Sequence, residues 1–341
     1  GKGTNHEIII ASDLPVGNLA GANIAMMAGS GWNIYTRTIM TVSDNVIVVS
    51  PTFNESRDGY TESFPYTPRE GNKFYIYGSL DLLDAPGEYF FDIYDMKLYV
   101  YTPDGSSPAN FRIDIQSDAK NVINLDNLEY INFIGFDIYG NGISMENSRF
   151  CKIENCRIRY YGFSRGDQPY PINRDSYHFF VSGEYNSIRN NEISGTGVSA
   201  LGISGTGNDI SNNLFHGIGH GGMDYAAISI LTGAVDFEIS YNTIRDCARF
   251  GVFIPAGARL ENGVISNNLI KDYGLLTADC GAFYTWNTNG GGTKLFNNFI
   301  DGSRTPHGQV DGLYLDNYCR NFIVYRNIIR NVSTGIRINL T

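Results

Sequence analysis

Ile210-Ser-Asn-Asn-Leu-Phe215 and Ile265-Ser-Asn-Asn-Leu-Ile270 are near copies of one six-residue phrase. It returns as Ile153-Glu-Asn-Cys-Arg-Ile158, Ile188-Arg-Asn-Asn-Glu-Ile193, Ile239-Ser-Tyr-Asn-Thr-Ile244, Leu295-Phe-Asn-Asn-Phe-Ile300 and Val324-Tyr-Arg-Asn-Ile-Ile329. A weaker copy, Ile131-Asn-Phe-Ile-Gly-Phe136, comes first. The fourth position is Asn191, Asn213, Asn242, Asn268, Asn298 and Asn327, with Cys156 standing in once; the asparagines are separated by steps of 22, 29, 26, 30 and 29 residues. A repeat in this range is the mark of stacked structural units.

A second phrase follows the first: Gly142-Ile-Ser-Met145, Ala200-Leu-Gly-Ile203, Ala227-Ile-Ser-Ile230, Gly251-Val-Phe-Ile254, Gly281-Ala-Phe-Tyr284, Gly312-Leu-Tyr-Leu315 and Gly335-Ile-Arg-Ile338. Both phrases are short, β-branched or aromatic, and bounded by Gly, Asn and Asp, which suits strands and not helices. Two strands with their turns in each period describe one coil of a parallel solenoid. Equivalent asparagines would then stack at a bend, their amides satisfying turn backbone groups. A propeller blade needs four strands and about 40 residues, and leucine-rich spacing is absent. The expected fold is all-β: a right-handed parallel β-helix over 117–341, the hand taken from known solenoids of this kind.

Residues 1–116 lack the asparagine phrase. Their β-rich segments are Glu7-Ile-Ile-Ile-Ala11, Trp32-Asn-Ile-Tyr35, Asn45-Val-Ile-Val-Val-Ser50 and Phe74-Tyr-Ile-Tyr77, followed by a hairpin from Glu88 to Tyr101 turning through Tyr94-Asp95. They predict a small antiparallel β unit packed on one end of the solenoid, shielding its terminal coil; sugar binding is the alternative role.

The chain has 341 residues, a net charge of −10 and a pI near 5.0, which argue against nucleic acid or an anionic membrane as partner. No apolar run reaches the ~18 residues of a membrane span, and no signal peptide opens the sequence. A secreted or periplasmic location is expected for a mature chain of this kind. The five cysteines (Cys151, Cys156, Cys247, Cys280, Cys319) are odd in number and scattered, so they read as small core residues and not as a disulfide framework. Asn54, Asn331 and Asn339 begin N-x-S/T triplets, a pattern common by chance in an asparagine-rich chain.

Outward residues on successive coils form columns ~4.8 Å apart. Asp224, Asp279, Asp311 and Asp316 cluster near the second-phrase strand of adjacent coils. Asp224-Tyr-Ala-Ala-Ile228 matches Asp279-Cys-Gly-Ala-Phe283 across an intervening coil, which predicts carboxyls roughly 9.6 Å apart; Asp279 and Asp311 would lie nearer ~5 Å if in register. Glycosidic hydrolysis needs one carboxylic acid and one carboxylate, ~5–5.5 Å apart for retention and ~6.5–9.5 Å for inversion. These candidates bracket both. Each Asp can instead cap a strand or bond turn amides.

Tyr284, Trp286 and Tyr314 stand beside the acids, and Trp286 meets an expected glycine-rich loop ending at Gly292, where an aromatic face suits a sugar ring. His216 and His220 are placed in the turn before Asp224, where glycines rule out a helical metal pair. They are candidates for substrate contact, as is His307 in a loop before Asp311; turn hydrogen bonding is the plainer role. The segment 162–177, with Arg165, Asp167, Arg174 and Asp175, interrupts the repeat and could wall a cleft.

Three phrases carry a family resemblance. Asp279-Cys-Gly-Ala-Phe-Tyr-Thr-Trp286 is similar to D-G-G-A-I-Y-T-W, Gly312-Leu-Tyr-Leu-Asp-Asn317 to G-I-Y-L-D-D, and Asp84-Ala-Pro-Gly-Glu-Tyr-Phe-Phe-Asp92 to D-x-P-G-E-W-Y-Y-D. The chain thereby resembles the right-handed parallel β-helix carbohydrate-active enzymes, and more narrowly glycoside hydrolase family 141, whose activities are on fucosylated and xylan-type plant glycans. The resemblance implies Asp279 and Asp316 as the carboxylate pair, a carbohydrate polymer or oligosaccharide as partner, no cofactor, and some further N-terminal coils absent here. Cys280 and Asn317 depart from its pattern.

Three functions follow: a glycoside hydrolase without obligatory metal; a polysaccharide lyase or uronate epimerase using Lys or Arg, often with Ca²⁺; or a non-catalytic glycan-binding, adhesin-like solenoid. Arg245, Arg249, Lys271 and Lys294 are the basic candidates for the second, and the acidic balance disfavours a polyuronate unless the cleft is locally basic.

Overall fold

The computed structural model describes residues 2–3, 6–10, 14, 17–51, 53, 67–115, 121–163, 176–302 and 309–339. His307, Asn54 and the residues Arg165, Asp167, Arg174 and Asp175 lie outside them. One compact unit is built on Gly1–Ser117, the other on Asp118–Ser164 and Gln168–Thr341.

In the larger unit the chain winds through three parallel sheets of eight, eight and nine strands, each coil adding one strand to each sheet. Most strands of the first two sheets are three residues long, and only the central side chain points inward, as in Lys152–Glu154 and Arg157–Arg159. The inward positions therefore stack in columns: Ile153, Ile188, Ile210, Ile239, Ile265 and Leu295 in one sheet, Ile158, Ile193, Phe215, Ile244, Ile270 and Ile300 in the next, all buried. The six-residue phrase is the corner between these sheets: it begins and ends on an inward residue.

Its two middle residues have separate tasks. The third takes the left-handed backbone, with φ 55° at Asn155, 58° at Asn190, 56° at Asn212, 56° at Asn267 and 55° at Asn297. Asparagine tolerates that region better than other non-glycine residues. The fourth forms a ladder. Asn191 N donates to Asn213 Oδ1 (2.9 Å), Asn213 N to Asn242 Oδ1 (3.0 Å), Asn242 N to Asn268 Oδ1 (2.9 Å), Asn268 N to Asn298 Oδ1 (3.0 Å) and Asn298 N to Asn327 Oδ1 (3.0 Å). Each Nδ2 also donates to a carbonyl of a preceding coil, as Asn242 does to Ile210 O at 2.8 Å. Buried backbone groups at the corner are thus paired.

The nine-stranded sheet has longer strands, among them Phe250–Ile254, Cys280–Trp286 and Val310–Asp316. On its outer face Ser229, Phe253, Tyr284, Tyr314 and Arg337 are successive neighbours. The expected glycine-rich loop is instead part of the strand Asn289–Phe296, with a register shift between Asn289 and Thr293. Glycine is required there by crowding: a Cβ on Gly291 would sit 1.9 Å from Leu260 O.

In the smaller unit an antiparallel sheet carries Glu7–Ile9, Val46–Ser50, Ile34–Ser43, Asn23–Met27 and Phe74–Tyr77 in that spatial order. Ile34–Ser43 begins with strict alternation of buried and half-buried residues, the pattern of a one-face core. Tyr89–Asp92 pairs with Lys97–Val100 as a separate hairpin, its turn held by Asp92 Oδ1 accepting from Tyr94 N (2.9 Å) and Asp95 N (3.1 Å). All five cysteines are free; Cys151, Cys156, Cys247 and Cys280 are buried.

Candidate active site

Asp279 immediately precedes the strand Cys280–Trp286 and adopts the left-handed backbone, φ 54°. Asp224 and Asp279 stand four residues before Ile228 and Phe283, which share a column through Val252. The expected two-coil register between these acids is therefore present. Asp311 differs. It aligns with Gly281, two residues along from Asp279, so the two acids are not neighbours in one column. It is fully buried, and Arg337 donates to it through Nε (2.5 Å) and Nη2 (3.4 Å). A carboxylate so enclosed has no open face for a substrate oxygen, and its pairing gives it a structural task.

Asp316 ends the next strand, opposite Trp286, which is half-buried. Its carboxylate collects three donors: Asn339 Nδ2 on Oδ1 at 2.7 Å, Asn317 N on Oδ1 at 2.9 Å, and Tyr284 Oη on Oδ2 at 2.9 Å. Asp279 Oδ1 has Tyr314 Oη at 3.4 Å, and Tyr314 Oη in turn accepts from Asn339 Nδ2 at 2.9 Å. Tyr314 and Asn339 thus join the two acids. Contacts of 3.4, 2.9 and 2.7 Å end to end bound the Asp279 Oδ1 to Asp316 Oδ1 distance at roughly 9 Å, within reach of either glycosidase geometry.

Protein surrounds most of Asp279, and this burial pushes its carboxyl above the usual carboxylate range; the Asp316 charge adds to the rise, while Arg249 and the Tyr314 hydroxyl oppose it. Burial, then the charges of Asp316 and Asp279, hold the Tyr284 phenol well above its ordinary value, so it stays a neutral donor. Burial does the same for Tyr314.

The aromatic residues expected to meet sugar are partly occupied with the acids. Tyr284 stacks on Phe250 at 4.7 Å and meets Tyr314 edge-on at 5.0 Å. Arg249 is buried beside them, paired with Asp224 Oδ1 at 2.9 Å, its guanidinium 4.6 Å from the Phe250 ring centre. Arg249 Nη2 also donates to the Asp279 carbonyl at 3.3 Å.

His216 lies elsewhere. It is in the strand Leu214–Ile218 of a different sheet, not in a turn, with Nε2 3.1 Å from Glu192 Oε1. His220 is an exposed turn residue whose ring stacks 6.4 Å from Phe163. Spacing to the nearest acid in sequence misplaced His216, because one residue step in a solenoid can change the sheet. Arg337 and Asn339 were missed as site residues. The signal was present in Gly335-Ile-Arg-Ile338, where an arginine takes the outward position that tyrosine holds one coil earlier.

The coils form a β-helix, and its nine-stranded sheet brings together two aspartates of adjacent coils bridged by Tyr314 and Asn339. The family model described as "Right handed beta helix region" matches residues 115–300, and the chain belongs to that family. Among solved structures it is similar to a "Glycoside hydrolase", at 13% identity and TM-score 0.58, covering 94% of this chain and 67% of that one. It also resembles the Streptococcus pneumoniae surface protein and adhesin PfbA (14% identity, TM-score 0.35, 63% of this chain and 66% of that one). A third likeness is to the Pseudomonas phage phi297 tailspike gp61 (10% identity, TM-score 0.34, 98% and 56%). The first of these likenesses concerns the fold. No curated protein matches the sequence.

Proposed function

We propose that the protein hydrolyses glycosidic bonds, with Asp279 as general acid and Asp316 as base or nucleophile. The observation that supports this is a buried carboxyl that favours its proton, linked through Tyr314 and Asn339 to a second, hydrogen-bonded one. Asp316 accepts hydrogen bonds from Asn339, Asn317 N and Tyr284, whereas burial, with the Asp316 charge adding to it, favours a proton on Asp279. A carboxyl inclined to keep its proton, linked to a second acid within roughly 9 Å, is what acid and base or nucleophile roles require. In this reading Asp279 gives its proton to the leaving oxygen while Asp316 meets either the anomeric carbon or a water beside it. Asp224 holds Arg249 in place near Asp279, and Asp311 holds Arg337 beneath Tyr314, 5.5 Å from its ring centre. A carbohydrate polymer or oligosaccharide is the partner, and secretion or a periplasmic location suits such a substrate.

The lyase reading would use Arg249 as base. Its guanidinium is engaged by Asp224 at 2.9 Å, an arrangement that favours a fixed cation over a proton acceptor. The test is reducing-end release from neutral and acidic plant and algal polysaccharides by wild type, Asp279→Asn and Asp316→Asn. Release by wild type with loss in both variants supports the proposal. Release that persists in folded variants, or an unsaturated product absorbing in the ultraviolet, overturns it.

A further inference from the structure

A cleft of about 690 Å³ lies on the larger unit, on coils that precede the acid pair. Phe180, Leu231 and Pro255 give it apolar floor, and Ser182, Ser204 and Thr206 give it hydroxyls. Its position relative to the acids is fixed by register. Phe180, Gly202, Ser229, Phe253 and Tyr284 are successive partners across the nine-stranded sheet, so Phe180 and Tyr284 stand four strand steps apart, about 19 Å. Pro255 and Trp286 stand one residue beyond the paired Ile254 and Thr285, and Trp286 is paired with Asp316. The cleft and the carboxylates therefore share one outer face.

Gly202 leaves room there for the Tyr177 ring, which covers it and packs with Phe180 and Leu231. A Cβ there would come within 2.7 Å of the Tyr177 ring and 3.1 Å of Phe180. Among the described residues no lysine or arginine lines the cleft, and Glu146 and Glu184 do. Arg149, the cation nearest by pairing, is held by Glu184 at 3.0 Å. A polyuronate or sulfated chain would find like charge and no counter-charge; an uncharged chain would find apolar faces for ring C–H groups and hydroxyls for its own hydroxyls.

We propose that this cleft is a remote binding site for an extended, uncharged saccharide chain whose scissile bond lies over Asp279 and Asp316, so that cleavage falls inside chains. The proposal rests on the hydrolase reading for the scissile bond; the binding it predicts does not.

The test is calorimetric binding by the full chain carrying Asp279→Asn, which holds substrate without turnover. The probes are neutral oligosaccharides from xylan, arabinan and mannan, of two to about six units, and oligogalacturonides of matching length. One neutral series is expected to bind about tenfold tighter at its long end than at its short end, with the acidic series weaker. Phe180→Ala should remove that gain. Ser204→Trp, at a half-buried lining position, fills the cleft without opening the core and should remove it too. Affinity that is flat with length, unchanged in both variants, equal for acidic chains, or absent for every neutral series overturns the proposal. Length-dependent binding without cleavage by wild type would leave the cleft and remove the hydrolase; cleavage with flat binding would do the reverse.

Discussion

The Asn339 side-chain amide donates to Asp316 Oδ1 at 2.7 Å, and the same nitrogen lies 2.9 Å from Tyr314 Oη. One amide therefore donates to Asp316 and occupies a lone pair of Tyr314, which turns the phenol proton toward Asp279. A residue three positions beyond the strand-opening Ile336 thus couples two acids on other coils.

Asn339→Ala removes a hydrogen bond to a charged group, a contribution of about 1.5–3 kcal/mol. That bond fixes the position of the Asp316 carboxylate, so kcat/KM falls about 10- to 100-fold and the melting temperature falls by a few degrees. Kinetics on the most active polysaccharide, with thermal melts beside them, would check both. A variant with full activity would place Asn339 outside the machinery.

Asp279→Asn separates chemistry from stability. Burial raises the folded-state pKa of Asp279 above that of the unfolded chain, so protonation favours folding. That contribution is fully present below the unfolded value of about 3.9 and is lost as pH rises through the folded value. Asparagine suffers no such loss. Urea midpoints should therefore favour the variant increasingly as pH rises from about 4 to 7, while activity falls by about 10³-fold or more. A variant less stable than wild type at neutral pH would contradict the burial argument.

Asp311→Asn tests a structural assignment. Asp311 is fully buried, whereas the Arg337 side chain is 31% exposed and can recover some water when its partner is lost. Breaking a buried pair costs about 3–5 kcal/mol, and the exposed guanidinium brings the expected loss to the lower end or just below it, about 2–3 kcal/mol. Chemical denaturation measures this directly. Protein that remains folded should keep turnover within about tenfold of wild type; loss as complete as that of Asp279→Asn would return Asp311 to the catalytic pair.

The solenoid was legible because its repeats are local: Ile, αL residue, asparagine and Ile occupy one corner within six residues. Register was legible where phrases match, as for Asp224 and Asp279. It failed for Asp311, since Gln309, not Asp311, is the residue opposite Asp279. Nothing in a phrase reports how far along a neighbouring strand its acid sits. The strand Asn23–Met27 was also missed, as was most of Ile34–Ser43. Their burial depends on pairing within an antiparallel sheet, and Met, Ala and Thr carry weaker strand signals than the isoleucine columns. Asn339 was noticed only as a possible glycan acceptor, because its partners lie 23 and 25 residues earlier in sequence.

The asparagine ladder makes the most separable prediction, because adjacent residues should act in opposite directions. Asn242 Oδ1 accepts from Asn213 N at 3.0 Å, and its Nδ2 donates to Ile210 O at 2.8 Å and Asn268 Oδ1 at 3.0 Å. Asn242→Ala leaves several buried groups without partners, each costing about 1–3 kcal/mol, so a loss of about 3 kcal/mol or more is expected. Tyr241, one residue earlier, sits at φ 58° where other coils place Asn155, Asn190, Asn212, Asn267 and Asn297, and the residue is 62% exposed. A bulky side chain in that backbone region is strained, and little packing is lost by removing it. Tyr241→Asn should raise stability by about 0.5–1 kcal/mol. Equilibrium unfolding of both variants decides the matter: equal destabilisation would mean that the corner is held by side-chain packing and not by the ladder and its left-handed turn.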